Sequence, residues 1–287
     1  MTNYTQLSET NQAKVDALAD MMRGHTTAII AGAGMSTDAG IPDYRGTGSS
    51  DGQTVDFDLF MSDPKWQRWV WQRNQETWKT VAGLSPTRAH LAVAALQKAG
   101  YVNGIATQNV DGLDARAGID RPALLHGTFD TADCVMCGAN YPRNEVDQWL
   151  RKLNPDVVDD PDPAHVAILA NVDEAGANAS TFKVAPCPKC GGPLKPSVVF
   201  FGEMLPADAM DLAFQYAREA DVLLVVGSSM IVGTGVWVAQ EGLRNPGTKL
   251  VVINRGPTQV DAYADLRIEG GASQILTAVA EKLGVEV

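Results

Sequence analysis

No stretch of about 18 uncharged apolar residues occurs in the 287-residue chain, so nothing in it is patterned as a membrane-spanning helix. Positive charge is scarce. Lys and Arg total 23 against 34 Asp and Glu, and the formal net charge is −11. That balance suits a nucleic-acid backbone poorly and basic partners, such as lysine-bearing surfaces, better. Cysteine is limited to four residues, too few for a disulfide-dense scaffold. Residues 1–24 lack a basic segment followed by an apolar run and are not Arg-rich. Neither a secretory signal nor a transit peptide is therefore expected, and the expected location is cytoplasmic. No internal repeat and no low-complexity tract is visible.

What remains is an ordinary globular composition, 45% hydrophobic and 20% charged. The length suits one large domain or a domain carrying a smaller inserted one. Helical spacing puts Val15, Leu18, Ala19 and Met22 on one face of residues 11–23, with Gly24 as the stop. The apolar run 27–31 reads as a strand. Gly32–Ser36 then reads as a Gly-rich turn and the start of a helix, interrupted early by Pro42. Residues 46–58 are polar and Gly/Ser-rich and read as a mobile loop. Further helices are expected over 64–79, which holds Trp66, Trp69, Trp71 and Trp78, and over 86–99, 208–220 and 274–283. The tryptophans read mainly as core. Short buried strands are expected at 104–107, 123–125 and 196–201. The unbroken apolar runs at 221–226 and 249–253 read as strands covered on both faces, as in a parallel sheet between helical layers.

This alternation predicts a doubly wound, Rossmann-like α/β domain with a parallel sheet, assembled from residues 1–45, 87–127 and 196–287. Residues 46–86 form a loop and helical insertion, and residues 128–195 a smaller inserted metal-binding module. Ligands of such sheets sit at the carboxyl ends of the strands. Polar or glycine residues stand at five of those ends: Gly32–Ser36, Gln108–Asp111, His126, Gly227–Ser229 and Asn254.

Each motif has a modest meaning alone. Gly32-Ala33-Gly34 lets a backbone approach a pyrophosphate, but its spacing is not that of the usual dinucleotide fingerprint. No acidic residue ends a second strand about 20 residues on, which weakens a dehydrogenase reading. Gly40–Arg45 could fold over a phosphate-bearing ligand with Asp43 and Arg45 turned inward, or end a helix with a surface ion pair. Gln108, Asn109 and Asp111 could hydrogen-bond an amide and a ribose, or form a simple turn. His126 is placed as a general base at a strand end, although a lone histidine is often structural. Cys134-x2-Cys137 and Cys187-x2-Cys190 form two knuckles, with Gly138 and Gly191 for the turns. Four thiolates would close the shell of one tetrahedral zinc, making it structural rather than catalytic.

Taken in order, these segments resemble the sirtuin family. Gly32–Arg45 is similar to its GAGxSxxxGIPDFR signature, Thr107–Leu113 to TQNxDxL, His126-Gly127 to its HG pair, and Val198–Glu203 to its substrate-strand segment. Gly227, Ser228, Ser229, Asn254 and Arg255 fall at its later NAD-binding positions. The resemblance spans about residues 28–258 and implies an NAD-dependent protein-lysine deacylase. Products would be free lysine, nicotinamide and O-acyl-ADP-ribose. It implies that Gly32, Ala33 and Gly34 line the NAD phosphates, with Asp43, Tyr44 and Arg45 closing over them. Gln108, Asn109 and Asp111 would hold the nicotinamide and its ribose. His126 would act as base on a ribose hydroxyl, with Asn109 and Asp111 in the catalytic group. Ser228 and Asn254 would contact the phosphate–adenosine half. Val199, Phe200, Phe201 and Gly202 would pair with an extended acyl-lysine peptide.

The long segment between the knuckles, Leu194–Glu203 and Trp69–Arg73 resemble the class II branch. Two departures stand out. Asp114 occupies a position where the family often has histidine. Val70 stands where the desuccinylating branch carries tyrosine, with Arg73 retained, which lowers the expectation of succinyl or malonyl preference. A mono-ADP-ribosyltransferase using the same NAD pocket, and a non-catalytic NAD-sensing zinc module, are the alternatives.

Overall fold

The computed structural model describes residues 7–42, 55–157 and 174–287. In chain order the strands are β1 (Thr27–Ala31), β2 (Val102–Thr107), β3 (Ala123–Leu124), β4 (Gly127–Cys134), β5 (Asn140–Pro142), β6 (Leu194–Val198), β7 (Val222–Val226), β8 (Lys249–Asn254) and β9 (Leu266–Glu269). The helices are α1 (Glu9–Met22), α2 (Phe57–Ser62), α3 (Pro64–Ala82), α4 (Arg88–Lys98), α5 (Leu113–Arg116), α6 (Arg143–Leu153), α7 (Glu174–Ala179), α8 (Ala207–Arg218), α9 (Gly233–Gly242) and α10 (Ala272–Lys282). Among the described residues no helix is long and apolar enough to cross a membrane.

Six strands form one sheet in the order β3-β2-β1-β7-β8-β9, and every pairing in it is parallel. The strand alternation sorts its side chains into two cores. Ile29, Ala31, Leu224, Val226, Val251 and Ile253 face α1, α4 and α10. Ala28, Ile30, Leu223, Val225, Leu250 and Val252 face α8 and α9. Both faces are covered by helices, which is why these strands are apolar at nearly every position. The chain runs outward from β1 in one direction through β2 and β3, then returns to the other side of β1 at β7. That reversal is the topological switch point where the carboxyl ends of neighbouring strands splay apart.

Three strands leave this sheet. β4 pairs antiparallel with β5 on one side and β6 on the other. The strand expected over 196–201 is thus found earlier, at Leu194–Val198, and in the small sheet. Its register follows from Gly127, which pairs with Val198; a Cβ there would lie 1.9 Å from the Ser197 carbonyl oxygen. β4 leaves the large sheet directly after His126, so β6 returns the chain to within reach of that histidine.

Helix ends follow local chemistry. Ser8 caps α1, Asp56 caps α2, and Asp63 with Pro64 starts α3. Thr87 and His90 make a reciprocal capping pair on α4. The helix expected after the Gly32 turn is not there. Two single 3₁₀ turns, Ala33–Met35 and Thr37–Ala39, take its place, closed by Gly40 at φ 95°. The stretch before Pro42 is too short for more. Trp66 and Trp69 pack with Phe60 and Phe200 under the insertion. Trp71 turns the other way, into the core of the small sheet with Ala132, Leu150 and Leu194, and its indole N–H donates to the Leu194 carbonyl at 2.8 Å. One helix therefore joins two cores. Asp43, Tyr44 and Arg45, most of the 46–58 loop and residues 158–173 lie outside the described residues.

Candidate active site

The carboxyl ends of β1, β2, β3 and β7 converge at the switch point. After β1, the N–H groups of Gly32 and Gly34 donate to Val226 and Gly227 carbonyls at 3.0 and 2.8 Å, so both hold the turn against β7. The glycines are needed for this approach. A Cβ on Gly34 would lie 2.6 Å from the Gly227 Cα, and one on Gly32 would lie 2.7 Å from the Ser228 Cβ. Gly227 itself has φ 60°.

Past β2, Gln108, Asn109 and Asp111 are drawn onto this turn. The Asn109 amide donates to the Gly32 carbonyl at 3.0 Å and to Ser36 Oγ at 3.2 Å. Ser36 in turn donates to Asp111 at 2.7 Å, and the other Asp111 oxygen accepts from the Leu113 N–H at 2.9 Å. Ser36 and Asp111 are buried. Gln108 Oε1 accepts from Ser228 at 2.7 Å. Its Nε2 is buried with no partner among the described residues. Such a donor is costly to leave unmade and is what a ribose or amide oxygen would satisfy. This orphan, beside a carboxylate and an amide held in fixed orientation, fits the sugar–nicotinamide end of NAD.

His126 stands between β3 and β4. Its Nδ1 lies 2.9 Å from the Gln108 carbonyl and its Nε2 lies 2.8 Å from Thr234 Oγ1. A carbonyl only accepts, so Nδ1 carries the proton and Nε2 presents its lone pair. Burial lowers the histidine's pKa, partly opposed by the Gln108 carbonyl. The ring is therefore neutral near pH 7, as a base requires.

The segment after β6 runs alongside. The Val199 N–H donates to the His126 carbonyl at 2.9 Å, and Phe201's carbonyl accepts from the Phe57 N–H at 3.0 Å. Phe200 is buried edge-on against Phe60, whereas Phe201 is 64% exposed. Gly202 turns the chain at φ 85°. Lys195, buried beneath, bonds the Val198 carbonyl at 2.7 Å and Glu203 at 3.1 Å, fixing the bend. Asn254 is buried and donates to the Arg255 and Gly256 carbonyls at 3.1 and 2.9 Å, shaping the loop after β8. Ser229 accepts through its carbonyl from the Gln259 N–H at 3.0 Å, and Arg255 is exposed. Arg73 stacks 4.8 Å over the Trp69 ring.

Under the site lies a buried acid–base pair. Asp114 Oδ1 is 3.9 Å from His90 Nε2, and neither atom has a hydrogen-bond partner among the described residues. Burial, with the nearby Asp111 charge, pushes the Asp114 carboxyl up to about 7. Burial pushes His90 down to about 4. Between those values both are neutral, so the contact is not an ion pair.

The four cysteines gather at the far end of the small sheet, with all four Sγ atoms within 4.8 Å of one another. Cys134–Cys190 and Cys137–Cys187 are 3.5 and 3.8 Å apart. The S–S edge of a tetrahedral zinc–thiolate site is about 3.8 Å, from a Zn–S length of about 2.3 Å. Gly138 and Gly191, at φ 66° and 76°, make the knuckle turns and donate back to the Cys134 and Cys187 carbonyls. The set fits one closed, structural zinc.

Two site residues carry no recognisable sequence signal. Thr234 reaches His126 from 108 positions away, and His90 lies on α4, outside every strand-end motif. Ser36 was within the glycine motif and could have been found from it.

A family model described as the Sir2 family matches residues 32–234. The chain is 34% identical over 273 residues to the NAD-dependent protein deacetylase 1 of Mycobacterium avium (strain 104), covering 95% of this chain and 96% of that protein. It is 34% identical over 281 residues to the NAD-dependent protein deacylase SIR4 of Batrachochytrium dendrobatidis, covering 92% of each. Among solved structures, a Sir2 bound to a p53 peptide and NAD+ superposes with a TM-score of 0.71 at 28% identity, covering 94% of this chain and 99% of that one. Sir2Tm bound to a propionylated peptide gives 0.73 at 27% identity, covering 95% and 100%.

Proposed function

Because this chain belongs to the Sir2 family, we propose that it is an NAD-dependent protein-lysine deacylase, acting on acetyl or longer aliphatic acyl groups. When bound, NAD supplies a ribose carbon with nicotinamide as leaving group, and the acyl group ends on ADP-ribose. The chain's own residues do the rest. Asn109 and Asp111, locked together through Ser36, hold the nicotinamide–ribose end, and the Gln108 amide meets a sugar oxygen. His126 Nε2 takes the proton of a ribose hydroxyl, with Nδ1–H anchored on Gln108 so that the tautomer is correct throughout. Ala33, Ser228 and Asn254, with Asp43, Tyr44 and Arg45, are assigned to the remainder of NAD. The Val199–Gly202 segment receives the peptide in extended form, with exposed Phe201 at its rim. An acidic chain and a lysine-bearing substrate are electrostatically matched.

The observation that carries this reading is the neutral, doubly anchored His126 beside an unpaired amide donor at the switch point. The test is a panel of acetyl-, longer aliphatic-, lipoyl- and succinyl-lysine peptides, assayed with and without NAD. Peptide with its lysine side chain unmodified, together with stoichiometric nicotinamide and O-acyl-ADP-ribose, is the expected product set. His126→Ala should lower turnover by roughly 10²- to 10⁴-fold. Turnover without NAD, or an unaffected alanine variant, refutes the assignment. Label from NAD appearing on protein instead of peptide deacylation would favour ADP-ribosyl transfer.

A further inference from the structure

Thr234 is a residue no motif singled out, and among the described residues it is the one side chain that hydrogen-bonds the base. Its Oγ1 lies 2.8 Å from His126 Nε2, the atom that must accept the proton. Nδ1 already donates to the Gln108 carbonyl, so in the neutral ring the Thr234 hydroxyl is the donor and Nε2 the acceptor. Once Nε2 is protonated the roles reverse, and the same oxygen accepts from Nε2–H. A hydroxyl is one of the few neutral groups that serves both forms without moving its oxygen.

The fold goes to some length to put it there. Thr234 is buried on the first turn of α9, where its branched Cβ restricts rotation. The next residue is Gly235, where a Cβ would lie 2.6 Å from Gln108 Nε2 and 2.9 Å from the Met230 sulfur. The loop into the helix is bent by buried Met230 at φ 59°, a left-handed conformation unusual for a non-glycine residue. The Met230 N–H is held by Ser228 Oγ at 3.1 Å, and that same hydroxyl bonds Gln108. Thr234, Gly235, Met230 and Ser228 thus form one bracket around Gln108 and His126.

We infer that Thr234 is a positioning residue for the base: it holds the His126 ring, whose tautomer Gln108 sets, with Nε2 facing the cleft, yields that lone pair to the incoming ribose hydroxyl, and accepts from Nε2–H after proton transfer. This rests on the deacylase reading above. His126's partners from the elements around it, Gln108, Thr234 and Val199, are uncharged; burial lowers its pKa and the Gln108 carbonyl opposes that shift.

The test compares Thr234→Val, which keeps the shape without the hydroxyl, and Thr234→Ser, which keeps the hydroxyl, with the parent protein. The valine variant should form O-acyl-ADP-ribose at least tenfold more slowly in kcat, with KM for NAD and peptide within about twofold. Its acid limb should move to lower pH, because the imidazolium loses an acceptor. Serine should restore kcat to within about threefold. In the ligand-free protein, imidazole nitrogen-15 spectra should show the Nδ1–H tautomer in all three forms, because Gln108 sets it, with the Nε2 resonance moved downfield only in the valine form, where the donor to its lone pair is lost. A valine variant with parental kcat, acid limb and Nε2 resonance overturns the inference. The spectra decide it even if the parent consumes no NAD, an outcome that refutes the deacylase reading instead.

Discussion

Replacing Asp114 by Asn should change how stability depends on pH more than how much stability there is. Asp114 is buried, and its carboxyl titrates near 7 in the folded chain against 3.8 when free. An acid whose folded pKa is raised makes folding less favourable as pH rises between those two values, because the unfolded chain has already released the proton. His90 acts in the opposite sense. Its folded value is about 4 against 6.5 free, so folding becomes more favourable as pH rises through that window. Each slope is about 1.4 kcal/mol per pH unit. From pH 4 to 6.5 the two therefore nearly cancel in the parent protein. Asp114→Asn removes one arm and leaves His90 alone. The variant should gain roughly 3 kcal/mol of stability between pH 4 and 7 that the parent does not gain, as estimated from the linkage slope. Urea unfolding followed by the fluorescence of the six tryptophans, repeated at each pH from 4 to 8, measures both curves. All other groups drop out of the difference. Parallel curves, agreeing within about 1 kcal/mol over the whole range, would show that the pair does not titrate as its burial demands.

Three other expectations are independent of that pair. The acid limb of kcat/KM for deacylation should fall below pH 6.5, since burial lowers the His126 pKa and the proposed mechanism uses the neutral ring as its base; a limb at or above that value contradicts the geometry. Purified protein should carry one zinc per chain by elemental analysis, and Cys187→Ser or a strong chelator should remove it and lower the melting temperature without leaving a stable metal-free fold of the small sheet. Gly34→Ala should abolish NAD binding by calorimetry and cost roughly 1–3 kcal/mol of stability, because the new Cβ would meet Gly227 backbone that cannot rotate away; unchanged affinity would mean the turn is looser than described.

The sheet was legible because it is buried on both faces. Runs such as 221–226 and 249–253 can be little else than inner parallel strands, and the structure places them side by side as β7 and β8. The knuckle cysteines were legible because thiolate spacing and chemistry are local. Boundaries and short elements were not. β9 and α9 lacked a distinct period. The early helix after Gly32 dissolved into 3₁₀ turns because propensity cannot see Gly40 turning left-handed against Pro42.

From sequence alone came the class of chemistry: which strand ends are polar, which imidazole stands at one of them, which four thiolates share an ion. Those follow from residue type and spacing along the chain. Tertiary structure decided the partners. Thr234 meets His126, Ser36 links Asn109 to Asp111, and Asp114 faces His90 across positions distant in sequence. Hydrogen bonds and burial are set by distances through space, and those exist only once the two helical layers have closed on the sheet.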